Sequence, residues 1–211
     1  MVVNHKYGIN KAYKSYDGFI PNRKEIAKLY GTIASYGGVE YICLSHASLA
    51  PIIYDPKILE KLTPILMEKT IRRLRKKRYI IVEVGIETGS PRLMKKHMKG
   101  KALPFSVDNW PELVCQGIGI MNDYEWYPLC TIMTGMPDET EEDIIATLEL
   151  VDRLKDAKMF FTPVLFIPLE DALLGKARRS SLERTTELQW EFIANCWNLC
   201  YGCGHSGISW L

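Results

Sequence analysis

Apolar and polar positions divide the chain into strand-like runs and helix-like stripes that take turns. Residues 39–45, 79–86, 127–134 and 160–167 are apolar, β-branched or aromatic runs of strand length. Between them apolar residues recur at helical spacing: Ile26, Leu29, Tyr30 and Ile33; then Ile58, Leu59, Leu62, Ile65 and Leu66; then Trp110, Leu113, Val114 and Ile118; then Ile144, Ile145, Leu148, Val151 and Leu154. A last stripe holds Leu188, Phe192, Ile193, Cys196 and Trp197. Strands separated by helices predict a parallel sheet of about four strands, curved into part of a barrel or left open.

Boundary residues sharpen these elements. Asn22, Ser90 before Pro91, and Ser106 or Asp108 are candidate N-caps, and Gly37-Gly38 and Gly119 are stops. Thr140, with Glu141, Glu142 and Asp143 behind it, has the form of a capping box. Asp55-Pro56 opens a helix expected to run to Leu74, kinked or divided at Pro64, and Pro163 argues for an edge position or a bulge in its strand. His46 to Pro51 reads as a polar exit turn after the strand at 39–45. The chain therefore divides into a loosely packed leading segment (1–21), an α/β core (22–175) and a C-terminal helix with a cysteine-rich end (176–211).

Composition narrows the class without naming a function. With 211 residues, 47% of them hydrophobic and 25% charged, the chain can bury one sizeable core. A net charge of +2 gives no argument for nucleic acid or a membrane, and no apolar run reaches the roughly 18 residues of a spanning helix. The basic run from Arg72 to Arg78 lacks interleaved aromatics and reads as the solvated C-terminal end of a helix. Residues 1–10 have no signal-peptide core, so a cytoplasmic protein is expected, its six cysteines being thiols or metal ligands.

Candidate chemistry lies at two strand exits. Gly85-Ile86-Glu87-Thr88-Gly89-Ser90 offers a carboxylate and two hydroxyls that suit a ribose, and equally makes an ordinary turn with an N-cap serine. Glu83, inside a covered strand, requires a polar partner. At Gly135-Met136-Pro137 the following acids Asp138, Glu139, Glu141 and Glu142 disfavour phosphate and favour a cationic or zwitterionic ligand. Cys196, Cys200 and Cys203, with His205 nearby, read as core thiols, as a zinc or auxiliary cluster site, or as a displaced cluster motif. Cys43, Cys115 and Cys130 read as core.

Taken in order, these motifs resemble the later part of the radical S-adenosylmethionine (radical SAM) core, close to members that carry an N-terminal cobalamin-binding domain. The resemblance rests on the 85–90 turn, on 131–143 with its Gly-x-Pro-x-Glu-Thr turn, on 44–51 and on 161–169, and it spans roughly two-thirds of the chain. It implies a partial TIM-like (β/α) barrel, an incomplete radical SAM core, that binds S-adenosylmethionine across the C-terminal strand ends. It puts Glu87, Thr88 and Ser90 on the ribose or amino-acid side and the backbone near Gly135 and Phe166 on the adenine side. It also implies a 4Fe-4S cluster, yet no Cys-x3-Cys-x2-Cys precedes residue 39. The expectation is thus a truncated member, radical-generating only when another part or a second chain supplies the cluster, with cobalamin entering only through a further domain. A non-catalytic scaffold and a protein binding metal through its C-terminal cysteines are the alternatives.

Overall fold

The computed structural model describes residues 23–44, 46–70, 73–74, 77–168 and 174–205, with 73–74 and 200–205 described by backbone alone. The expected leading segment, 1–21, lies outside the described residues. Helix α1 (Arg23–Ser35) buries Ile26, Tyr30 and Ile33, the stripe its spacing predicts. Helix α2 (Leu49–Tyr54) replaces the expected exit turn. Pro51 is tolerated because it lies in the first turn, where an N–H has no helical partner.

Helix α3 (Lys57–Glu68) buries Ile58, Leu59, Leu62 and Leu66, each burial stabilising by about 1.5–3 kcal/mol. Pro64 lies inside it on the exposed side. The helix stops at Glu68, well before Leu74, and the basic run forms an antiparallel ribbon, β1 (Arg73–Leu74) with β2 (Lys77–Arg78). Arg78 nevertheless reaches the helix end, its Nη1 donating to Met67 O at 2.7 Å and Glu68 O at 3.0 Å. A cation does cap the last carbonyls of α3, but from a returning ribbon.

Three strands form the main sheet: β3 (Glu83–Glu87), β4 (Leu129–Thr134) and β5 (Phe160–Leu165), in that order and parallel throughout. β5 lies at the edge, where the missing N–H of Pro163 leaves no gap in the ladder. The expected fourth strand is a correction. Val39, Ile42 and Leu44 are buried, but the segment meets the sheet through one parallel bridge, His46 to Glu83. Its backbone is drawn elsewhere: Ile42 N donates to Lys69 O at 3.0 Å, and Lys69 Nζ donates to Val39 O at 3.1 Å. Among the described residues the sheet therefore has three strands rather than about four, and it is not closed into a barrel.

Helices α4 (Pro91–His97), α5 (Trp110–Asp123), α6 (Glu141–Arg153) and α7 (Glu187–His205) complete a mixed α/β fold. α5 runs through Gly119 without loosening there. One hydrophobic cluster joins α1, α2, α3, the sheet, α5, α6 and α7, so Phe192 and Cys196 of the C-terminal helix share the core of the rest. Cys130 is in that core as expected, whereas Cys43 is exposed and Cys115 half-buried. Smaller clusters close the two ends of the sheet: Tyr79, Tyr127 and Phe160 at the strand starts, and Leu93, Met136 and Phe166 at the strand exits. Among the described residues no helix is long and apolar enough to cross a membrane.

Candidate functional site at the strand exits

The exit of β3 is backbone held out of its usual range. Pairing with β4 slips between Gly85 and Glu87, and Glu87 takes a φ of 69°. Thr88 N donates to Ile86 O at 2.9 Å, closing a three-residue turn around Glu87. A γ-type turn with positive φ is rare and strained for a residue with a Cβ, and persists only where its surroundings over-determine it. Trp110 supplies part of that constraint, its indole Nε1 donating to Ile86 O at 3.2 Å and Thr88 O at 2.9 Å. Trp110→Phe removes this donor from a buried site and is expected to cost about 1 kcal/mol in a urea melt.

The Glu87 carboxylate pairs with Lys101 through Oε1, and both groups are mostly buried. Gly85 makes the room: a Cβ there would meet Lys101 Nζ at 2.5 Å. Thr88 and Ser90 face the other way. Thr88 is 0% and Ser90 2% exposed. The Thr88 hydroxyl bonds that of Thr147 at 3.0 Å, and Ser90 Oγ donates to Asp143 Oδ1 at 2.5 Å while accepting from Leu93 N at 3.2 Å as the N-cap of α4. These two hydroxyls hold the turn to α6.

Asp143 is the residue that sequence reasoning missed. The sequence marks it only as a capping-box acid of the first turn, and it does close the capping box with Thr140. It also accepts from Ser90 and from Arg92 through two nitrogens, so it joins α6, α4 and the β3 turn. Burial would raise its pKa, but hydrogen bonds from Arg92, Ser90 and Thr140 outweigh that and hold the carboxyl well below the usual range. An arginine two residues after an N-cap serine, with an acid at N3 of the next crossover helix, was the available signal.

At the β4 exit, Gly135 has a φ of 78°, open to glycine alone without strain. Glu139 is turned inward, its Oε2 accepting from Gly135 N at 2.7 Å, Thr134 Oγ1 at 2.8 Å and Gln189 Nε2 at 2.8 Å. Asp138 pairs with Lys96 at 2.9 Å, which lowers its pKa. Ser180 stands against Gly135: its Oγ donates to Gly135 O at 2.6 Å and its N donates to Phe166 O at 3.1 Å. Phe166 N in turn donates to Thr134 O at 2.9 Å, and its ring is buried with Leu93 and Met136.

A pocket of about 330 Å³ opens beside this turn, between Gly135, Pro137 and Leu165 on one side and Arg178, Arg179, Arg184 and Gln189 on the other. Of the acids expected to shape this exit, Asp138 and Glu139 are tied to a neighbour, while Glu141 and Glu142 stay exposed at the start of α6. The pocket's own lining includes three arginines and no acid. The basic loop after β3 is likewise engaged, Lys95 with Asp108, Lys101 with Glu87 and His97 with Pro137 O. Glu83 has the polar partner it required in His46, at 3.2 Å.

The cysteine motif was tested by where it falls. Cys196 is 0% exposed within the main core, and the side chains of Cys200 and Cys203 lie outside the described residues. The backbone of α7 is one helix through all three. That places their Cα atoms along one face in a row about 10 Å long. Among the described residues no group of three or more metal-ligating side chains occurs.

No protein-family model matches the chain, and no curated protein matches it.

Proposed function

We propose that the chain is the later part of a radical SAM-type (β/α) core, a partial barrel that binds S-adenosylmethionine at the C-terminal ends of β3, β4 and β5. Radical chemistry would then need a cluster supplied from outside the residues described. The observation that carries the reading is the strained Glu87 turn beside the left-handed Gly135 turn, two special backbones at the exits of neighbouring parallel strands. Ligands of parallel α/β sheets bind at this end, and a strained carboxylate there is a functional signal.

In this reading Lys101 orients Glu87 through Oε1, and Oε2 accepts from a ribose hydroxyl. Thr88 and Ser90 act indirectly, by fixing the turn against α6. S-adenosylmethionine, when bound, supplies the reactive sulfonium. Calorimetric titration with S-adenosylmethionine tests the reading. Binding by the wild type and a loss of roughly 10-fold or more in Glu87→Ala are expected from a charged hydrogen bond. No heat with the wild type would sink the reading, and equal affinity in the variant would remove Glu87 from it.

A non-catalytic scaffold is the second reading. It is favoured by Ser180, which already occupies the Gly135 and Phe166 carbonyls that the resemblance assigns to the adenine side.

A further inference from the structure

We propose that the pocket beside Gly135 is an anion site for a phosphorylated small molecule, whose phosphoryl group is held by Arg178, Arg179 and Arg184. The inference goes beyond the S-adenosylmethionine reading: the two sites share the Gly135 turn, but Glu87, Thr88, Ser90 and Phe166 do not line this pocket.

The cations of the lining outnumber the acids near it. The pocket lining contains three arginines and no carboxylate. Among the described residues none of the three forms an ion pair with an acid. The nearest acids are directed elsewhere. Glu139 accepts from Thr134, Gly135 and Gln189. Glu183 is held below its usual pKa first by its own backbone N–H and Ser181, and only last by Arg184. Like charges gathered on one concave surface repel, and a bound anion removes that cost.

The donors are also of the right kind. Arg184 is positioned by one bond, Nη2 to Arg179 O at 2.6 Å, which leaves the rest of its fork to reach outward. Guanidinium forks bind phosphoryl oxygens bidentately. The start of α7 is not the donor, because Thr186 and Gln189 cap each other there: Thr186 N donates to Gln189 Oε1 at 3.0 Å, and Gln189 N to Thr186 Oγ1 at 3.3 Å. Recognition therefore falls to the side chains.

The space selects a small ligand. About 330 Å³ is at the lower end of small-molecule sites. It admits a phosphoryl group with a sugar or nucleoside attached, and Met136 and Leu165 give that body an apolar wall.

Calorimetric titrations with pyrophosphate, ADP and adenosine test the site in the wild type, in R178Q/R179Q and in R184Q. Pyrophosphate and ADP are expected to bind and adenosine is not. Each arginine variant is expected to weaken ADP by about 10-fold or more, as loss of charged hydrogen bonds requires. All three arginines are exposed, so the variants should melt at the wild-type temperature. Equal binding of ADP and adenosine, or unchanged ADP affinity in both variants, would overturn the proposal. Glu87→Ala keeps ADP affinity at the wild-type value while weakening S-adenosylmethionine; a shared loss would overturn the independence of the two sites.

Discussion

Asp143→Ala is expected to lower stability by about 1–3 kcal/mol, the cost of leaving buried donors without their acceptor. The residue is 4% exposed and accepts from Ser90, Thr140 and the exposed Arg92, with Thr140 donating through both N at 2.8 Å and Oγ1 at 3.0 Å. Truncation leaves those donors without their acceptor and releases the β3 turn from α6. For a chain of this size the melting temperature should fall by about 2–12 °C. Urea denaturation of the wild type and the variant measures it, and a loss below about 1 kcal/mol would show that the network contributes only geometry.

The same residue sets an acid limb. Its folded-state pKa lies below the unfolded value of about 4, so its contribution is complete above that pH. The contribution is lost as the pH falls through the depressed value. The wild type should therefore lose stability steeply in acid, and Asp143→Ala should lose less over the same window. Parallel curves for the two proteins would assign the acid sensitivity to other carboxylates.

Gly89→Ala is expected to cost about 1–3 kcal/mol, because its new methyl group has nowhere to go. A Cβ at Gly89 would stand 2.5 Å from Ala146 O and 2.6 Å from Thr147 Cα, both backbone atoms of α6. A flexible side chain could swing aside, but a helix backbone moves as a whole. Displacing α6 also strains the bonds of Thr147 Oγ1 with Thr88 Oγ1 and Gly89 N, each 3.0 Å long. Gly100→Ala is the control, since nothing lies within 4 Å of its Cβ position. Thermal melts of the pair should separate clearly, and equal values would mean that the turn and α6 are less closely joined.

Much of the fold was legible because its signals are local. The stripe of α1, the Ser90 cap and the Thr140 capping box each depend on residues within one or two helical turns. What failed depends on distant partners. Residues 39–44 have strand composition, but whether they join a sheet is decided by Lys69, which takes the N–H of Ile42. The buried face of α6 was misread for a related reason. Ile145, expected inside, is 46% exposed, while Asp143 and Thr147 are buried because they meet polar groups of the β3 turn. Hydrophobic periodicity cannot announce a buried polar residue whose partner is 53 positions away.

The site was legible in its turns and illegible in its charge. Glu87 and Gly135 stand at strand exits where the motifs put them. The acids after Gly135 suggest a negative surface; Asp138 and Glu139 are matched within the fold, whereas Glu141 and Glu142 remain exposed. Nothing local marks Arg178 and Arg179 as pocket residues, because the Gly135 turn that shares the lining is more than forty residues earlier in the chain.

The spatial order of the main sheet, β3, β4, β5, repeats the order in which the ribosome makes its strands. Each strand emerges with its pairing partner already synthesised, and none has to be inserted between two that have met. Growth of the sheet can keep pace with translation, so each strand after the first can pair as it emerges instead of waiting unpaired beside neighbours on the same messenger.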